Sequence, residues 1–259
     1  MNKKNLPFGF NNDFEFNLLN IENFNRSLRL KALVKFIKKN KNVKGDYFEF
    51  GVYQGSSLLS VAILFKKLNI KKKVYGFDSF SGFPKYDLQD NIKNFKKLLL
   101  KKQISKKHYE KIKLFLKIKK FKQFSKPKNF YPKNISTSLN FSKNSQKSLL
   151  EKIKKLGLNN IKLVKGNFSK TVPNFFKRNK KISIFACNID CDLYHSYKII
   201  LPFVWNKLNK KGMALLDEYY SLKFPGARIA CNEFFRKNKI KPIKAISLDN
   251  DFERWYIKK

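Results

Sequence analysis

Residues 46–80 read "DYFEFGVYQGSSLLSVAILFKKLNIKKKVYGFDSF". "DYFEFGV" (46–52) reads as a buried strand, and "SSLLSVAILFKKL" (56–68) as a helix with Ser56 as its N-cap. "KKVYGFDSF" (72–80) is a second strand. Two strands joined by a helix lie parallel, and units of this kind build parallel sheets.

The alternation continues towards the C-terminus. Helix "SQKSLLEKIKKLG" (145–157) ends at Gly157, which suits the position just past a helix end. Strand "IKLVKGNF" (161–168) follows, then a short helix near "VPNFFKRN" (172–179). Next come strand "ISIFACNID" (182–190), helix "SYKIILPFVWNKL" (196–208), strand "GMALLDEYY" (212–220) and helix "GARIACNEFFRKN" (226–238). "PIKAISL" and "FERWYIK", joined by the polar "DND", form a terminal antiparallel hairpin. Before the β–α–β unit, residues 1–45 are a helical preamble, with Leu28, Leu30, Leu33, Val34 and Ile37 near helical spacing. Between the second and third strands, residues 87–150 break the rhythm. This Lys-, Asn- and Ser-rich insertion has a helical tract near 92–120 and a Pro-containing segment "SKPKNFYPKN". It is expected over the sheet's edge, as a lid or an acceptor-specificity region. The whole, 1–259, is expected to be one α/β domain with a doubly wound sheet of about seven strands.

Composition narrows the function classes. A formal net charge of +40 invites a nucleic-acid reading, because neutralising phosphates drives non-specific binding. Only six of the 58 basic residues are arginine, the side chain suited to bidentate contacts, and the lysines run along the whole chain. Lys, Asn, Ile and Phe are all in excess and all have A/T-rich codons, so genomic base composition accounts for the bias. No specific nucleic-acid partner is expected. No apolar run reaches the ~20 residues that span a bilayer, and the N-terminus lacks a signal peptide's apolar core, so a cytoplasmic location is expected. Self-association is left open. Cys187, Cys191 and Cys231 form no CxxC pair and are expected to be buried thiols.

In a doubly wound sheet ligands bind beyond the carboxyl ends of the strands. The first strand ends in "EFGVYQGSS", where Gly51 and Gly55 allow a tight turn and the next helix offers free N–H groups. The stretch is neither GxGxxG nor a P-loop. Glu49 would repel a pyrophosphate, so a cationic or hydroxyl-bearing ligand fits better. The second strand ends at Asp78, 29 residues after Glu49, where an acid accepts ribose hydroxyls; capping of the turn "DSFSGFP" is the alternative. The fourth strand ends at Asp190, and the fifth at Asp217 and Glu218. Three carboxylates converging on one rim repel unless a cation balances them, and oxygen ligands select a hard ion such as Mg²⁺. Neutralisation by nearby lysines is the competing reading.

The set "GDYFEFGVYQGSS", "VYGFDSFSGFP", "KLVKGNFSKTVP", "NIDCDLYHSY" and "LLDEYYSLKFPGARIACNEF" resembles the macrocin O-methyltransferase (TylF-type) family. The resemblance covers about 45–238 and implies a Rossmann-like, class I methyltransferase fold. It implies S-adenosylmethionine as methyl donor, a divalent metal (Mg²⁺ or Mn²⁺) and a sugar hydroxyl as acceptor, on a nucleotide sugar, glycan or glycosylated metabolite. By the same resemblance Glu49, Gly51 and Asp78 are cofactor-binding positions; Gly55, Ser56 and Ser79, in the same two turns, complete that set. Asp190, Asp217 and Glu218 become the metal ligands, although the family commonly has two aspartates where this chain has Asp217–Glu218. Asp190 is the first candidate for the general base and His195 the second. Leu193 stands where catechol-type enzymes have a lysine, which argues against a catechol-like mechanism. His108, in the insertion, is read as incidental. Two further readings remain: a methyltransferase acting on a non-sugar small molecule or RNA, and a non-catalytic basic nucleic-acid-binding protein.

Overall fold

The computed structural model describes residues 6–122, 141, 142, 144–245 and 252–259. The segment "SKPKNFYPKN" and the "DND" turn lie outside the described residues. Seven strands form one sheet: β1 (Asp46–Phe50), β2 (Val74–Asp78), β3 (Ile161–Lys165), β4 (Ile184–Ile189), β5 (Leu208–Leu216), β6 (Ile243–Lys244) and β7 (Trp255–Lys258). Their spatial order is β3-β2-β1-β4-β5-β7-β6. The first five are parallel, whereas β7 pairs antiparallel with both β5 and β6. The doubly wound sheet and its terminal antiparallel pair are as the sequence implies. Strand order reverses between β1 and β4, which puts the ligand-binding crevice over the ends of those two strands.

The period-2 alternation of the strands sorts side chains between two cores. Tyr47 joins one apolar cluster with α1 (Asp13–Leu18), α2 (Lys31–Lys39), α3 (Ser56–Lys67) and α6 (Gln146–Lys155). Phe48 and Phe50 point the other way, into a cluster with α7 (Phe168–Arg178), α8 (Tyr194–Lys207) and α9 (Pro225–Asn238). Nine of the twelve α3 residues are buried, so this helix runs under the preamble and behaves as core rather than as surface. Helix α2 shows one apolar face, buried through Leu33, Val34, Phe36 and Ile37, and ends in Lys38 and Lys39, which complement the helix dipole. Gly157 follows α6 at φ 61, the left-handed conformation expected just past a helix end.

Two boundaries differ from expectation in ways that matter for the site. The fifth strand stops at Leu216, and Asp217–Tyr220 form a 3-10 turn, which swings the acids out of the sheet. The described part of the insertion is two helices, α4 (Asn94–Leu100) and α5 (Lys106–Lys122), with a small core of Phe95, Leu98, Ile104 and Ile112. Part-buried Ile229 on α9 packs against that core, so these helices sit on α9 rather than beyond the sheet's edge. No described helix is long and apolar enough to cross a membrane. All three cysteines are buried and unpaired.

Candidate active site

The floor of the crevice is built where β1 stops. Gly51 has φ 92, and its N–H donates to the Phe77 carbonyl at 2.9 Å. A Cβ on Gly51 would lie 1.7 Å from the Asp190 carbonyl oxygen, so only glycine allows the ends of β1 and β4 to meet here. The chain then enters α3 through Gly55 at φ 84, which is itself the N-cap and makes no side-chain cap bond. Ser56 is therefore the first helical residue and not the cap expected from sequence. The left-handed turn at Gly55 lets the helix begin one residue earlier, where a serine cap would have had to adopt an extended conformation.

Asp78 organises both turns. Its Oδ2 accepts the Val52 and Tyr53 N–H groups at 2.9 and 2.8 Å; its Oδ1 accepts the Phe80 N–H at 2.7 Å and Asn144 Nδ2 at 3.3 Å. The Phe80 N–H bond is the turn-capping contact that the sequence offered as the alternative reading of this residue. Ser79 Oγ donates to the Gly82 carbonyl at 2.7 Å. Gly51, Ser56, Asp78 and Ser79 all line one cavity of about 610 Å³; Glu49 and Gly55 do not. Glu49 lies beneath its floor, fully buried, accepting from Tyr47 Oη and Ser57 Oγ at 2.8 Å each. Burial raises its pKa to about 7, against the hydrogen bonds that favour the charged form.

The strand-end acids gather on the far side of the same cavity. Asp190 follows β4. The Leu193 N–H then donates to the Cys191 carbonyl at 2.6 Å, leaving Asp192 at φ 57 in the middle of a three-residue turn. A non-glycine residue in this region is strained, and such strain concentrates at functional sites. Tyr197 Oη donates to the Ile189 carbonyl at 2.7 Å and accepts the Glu218 N–H at 3.2 Å, tying the β4 end to the 3-10 turn after β5. As a result one carboxylate oxygen each of Asp190, Asp192 and Glu218 lies within 4.8 Å of the others. Burial, followed by the neighbouring carboxylates (Asp217 among them), pushes the pKa values of all three upwards.

This grouping differs from the expected trio of Asp190, Asp217 and Glu218. Asp217 instead faces two arginines: its Oδ1 lies 3.1 Å from Arg254 Nη1 and 3.5 Å from Arg29 Nη1. Asp192 takes its place, because the tight turn brings that side chain back over the rim. The three facing oxygens suit a small hard cation of the Mg²⁺ type. His195, in the first turn of α8, is exposed and lines the cavity without joining the acid group.

Several residues that sequence reading passed over are structurally committed. His108 is buried; its Nε2 lies 2.8 Å from the Ser221 carbonyl, and its ring stacks on Tyr220 at 3.8 Å. It joins α5 to the loop carrying Asp217 and Glu218, so it is not incidental. Burial lowers its pKa to about 4 and keeps the ring neutral. Buried Asp90 accepts the Tyr194 N–H at 2.8 Å and so caps α8 from the insertion. Arg29, in the preamble, reaches the acids of both β4 and β5. Its rarity among so many lysines was the one sequence signal available.

The cavity inverts the charge of the chain. Among the described residues, six acids line it (Asp78, Asp87, Asp190, Asp192, Asp217, Glu218) against three Lys or Arg side chains, Arg29, Lys85 and Lys223. A phosphate-binding groove would show the opposite balance.

A family model described as "Macrocin-O-methyltransferase (TylF)" matches residues 24–124 and 99–255. Among solved structures, the fold is similar to the O-methyltransferase NovP, with 20% identity, TM-score 0.60, and 90% of this chain and 80% of that one covered. It is equally similar to the calicheamicin methyltransferase CalS11, with 20% identity, TM-score 0.60 and coverages of 98% and 82%. An apo structure of CalS11, titled a TDP-rhamnose 3'-O-methyltransferase, matches with 18% identity, TM-score 0.53 and coverages of 88% and 77%. No curated protein matches the sequence.

Proposed function

Since the chain belongs to the macrocin O-methyltransferase (TylF) family, and is thereby an S-adenosylmethionine-dependent O-methyltransferase, we propose that it methylates a sugar hydroxyl with the help of a divalent cation. The observation that carries this reading is the facing of Asp190, Asp192 and Glu218 within 4.8 Å, in the same cavity as the Asp78-centred turns. Two of the similar structures, NovP and CalS11, are titled O-methyltransferases, and CalS11 is titled as acting on a sugar nucleotide.

S-adenosylmethionine supplies the methyl group as a sulfonium, and a Mg²⁺ or Mn²⁺ ion supplies Lewis acidity that makes a hydroxyl easier to deprotonate. This chain's residues do the rest. The turn at Gly51 to Ser56 and the carboxylate of Asp78 hold the donor's adenosine half against the β1 and β2 ends. Asp190, Asp192 and Glu218 hold the cation. An acceptor hydroxyl held between these two subsites would face the donor's methyl group, the alignment that a displacement at carbon needs. The hydroxyl proton passes to a carboxylate. Asp190, the first candidate from sequence, has its Oδ2 committed to Arg29 at 2.8 Å, and that ion pair weakens it as a base. Asp192 pairs with neither Arg29 nor Arg254, so its carboxylate is the freer of the two to take the proton. His195 stays the second candidate, on the cavity wall. The Phe83–Asp87 segment, which lines the cavity, supplies acceptor specificity.

The test uses purified protein, labelled S-adenosylmethionine and a panel of nucleotide sugars and glycosides. Methyl transfer is expected to stop with a chelator and to return with Mg²⁺ or Mn²⁺. Asp192→Asn is expected to lose at least 100-fold in rate while S-adenosylhomocysteine affinity, read by calorimetry, changes little. Full transfer in the presence of chelator would refute the metal role, and a fully active Asp192→Asn enzyme would remove Asp192 as base.

A further inference from the structure

The preamble reaches the catalytic rim through a single strap between α1 and α2. Along it, Asn20 Nδ2 donates to Gln54 Oε1 at 3.0 Å and the Glu22 N–H to the Ser56 carbonyl at 3.2 Å, so the strap lies on the β1–α3 turn. Arg29 ends it. Its Nε and Nη2 donate to Glu22 Oε2 at 3.1 and 2.5 Å, which fixes the guanidinium plane. Its remaining Nη1 spans Asp190 Oδ2 at 2.8 Å and Asp217 Oδ1 at 3.5 Å, two acids from different strand ends. A planar fork can bridge three carboxylates in this way; a lysine ammonium is a single point charge.

We propose that Arg29 is the resident counter-ion of the strand-end acids, a positioning residue that sets how tightly the site takes up a divalent cation. This rests on the cation reading given above. Without any added ion, four acids of one rim (Asp190, Asp192, Asp217 and Glu218) would repel one another, and Arg29 together with Arg254 offsets that repulsion from one side. The offset has a consequence for the other side. A positive charge held on Asp190 opposes a second cation sharing the same carboxylate, so Arg29 stabilises the metal-free site and weakens metal uptake. The division of labour among the acids follows: Asp217 serves the arginines, while Asp190, Asp192 and Glu218 face the cation position.

The experiment is equilibrium Mn²⁺ binding to the full chain, read by electron paramagnetic resonance, alongside thermal melting with and without Mn²⁺. Arg29→Gln is expected to bind Mn²⁺ roughly tenfold more tightly, since one unit charge is removed a few ångströms away at a partly screened site. Its metal-free Tm falls, and its Tm gain on adding Mn²⁺ exceeds that of the parent. Glu22→Gln, a mild change at a partly exposed partner, has the opposite sign: the guanidinium then lies wholly on the acids, and Mn²⁺ binds several-fold more weakly. A merely structural Arg29 would lower Tm in both variants without moving Mn²⁺ affinity in opposite directions. Parent binding with neither variant shifted overturns the role of Arg29 and leaves the cation site standing. No Mn²⁺ binding by any of the three proteins overturns both. Binding by Arg29→Gln alone supports the role of Arg29 in its strongest form.

Discussion

Glu49 shows how a residue can sit at the expected strand end and yet do a different job. Its strand position was legible, because "DYFEFGV" is a short, largely apolar run that stops at glycine; its direction was not, because period 2 says which residues share a face but not which face the ligand takes. Glu49 shares a face with Tyr47, pointing into the core under α3, and is fully buried. Its pKa is about 7 in the folded chain against an ordinary 4.5. Between those values the folded state binds more protons than the unfolded one, so stability falls as pH rises from about 4.5 to about 7 and is level beyond. The difference amounts to about 3 kcal/mol at most. Glu49→Gln is expected to remove this component: its Tm relative to the parent should improve as pH goes from 5 to 8. Asp190 and Asp192 are shifted the same way, so the variant's own slope is shallower, not flat. Parallel Tm–pH curves for the two proteins would rule out Glu49 as a buried titrating group. At the same scale, Asp78, Asp190 and Glu218 could be picked out because acids closing apolar strands are conspicuous. Arg29 could not, because it is brought in from 161 positions away in sequence; Asp192 could be read as orienting the loop or the acceptor, but not as a member of the acid group, because its left-handed backbone at φ 57 turns the side chain inwards.

Among the elements, those with a strong period were legible, and the insertion was legible as a helical tract but not in how it docks. β1 to β5 and the helices between them fall where their apolar patterns lie, within a few residues. The insertion carries a lysine-rich surface that hides its short apolar core, and its docking depends on polar contacts that no period reveals. Asp90 is the key contact, capping α8 through the Tyr194 N–H and accepting the Asp87 N–H at 2.9 Å. Gly226, in the first turn of α9, makes room for it: a Cβ there would lie 1.9 Å from Asp90 Oδ1 and 2.8 Å from Tyr194 Cβ. Gly226→Ala should therefore force the carboxylate off the α8 terminus and cost about 1–3 kcal/mol, the usual range for overpacking. Asp90→Ala should cost about 1–2 kcal/mol as a lost cap. Because both changes strike one contact, the double variant should be less destabilised than the sum of the single ones by more than the ~0.5 kcal/mol scatter of independent sites. Chemical denaturation of the four proteins measures this, and simple additivity would mean that the glycine is there for some other reason.

For the molecule as a whole, the +40 charge and the acidic cavity must be reconciled. A surface this basic attracts polyanions wherever salt is low, whatever the chain's function, because releasing counterions from a nucleic acid is favourable for any dense cationic surface. Function would show itself as a basic stripe leading into the catalytic cavity. Instead, among the described residues, six acids and three Lys or Arg side chains line that cavity, so an incoming phosphate backbone meets repulsion at the proposed site of chemistry. Polyanion binding should therefore be an outer-surface property, independent of the site. Fluorescence anisotropy with labelled single-stranded RNA and duplex DNA is expected to show binding at 20 mM salt that weakens steeply and linearly on a log–log plot, without sequence preference, and is lost near 150 mM. Saturating the protein with S-adenosylhomocysteine and Mg²⁺ should leave those curves unchanged, since the ligands occupy a cavity that the polyanion does not enter. Tight, sequence-selective RNA binding that survives physiological salt and competes with S-adenosylhomocysteine would make the acceptor a nucleic acid and displace the sugar reading.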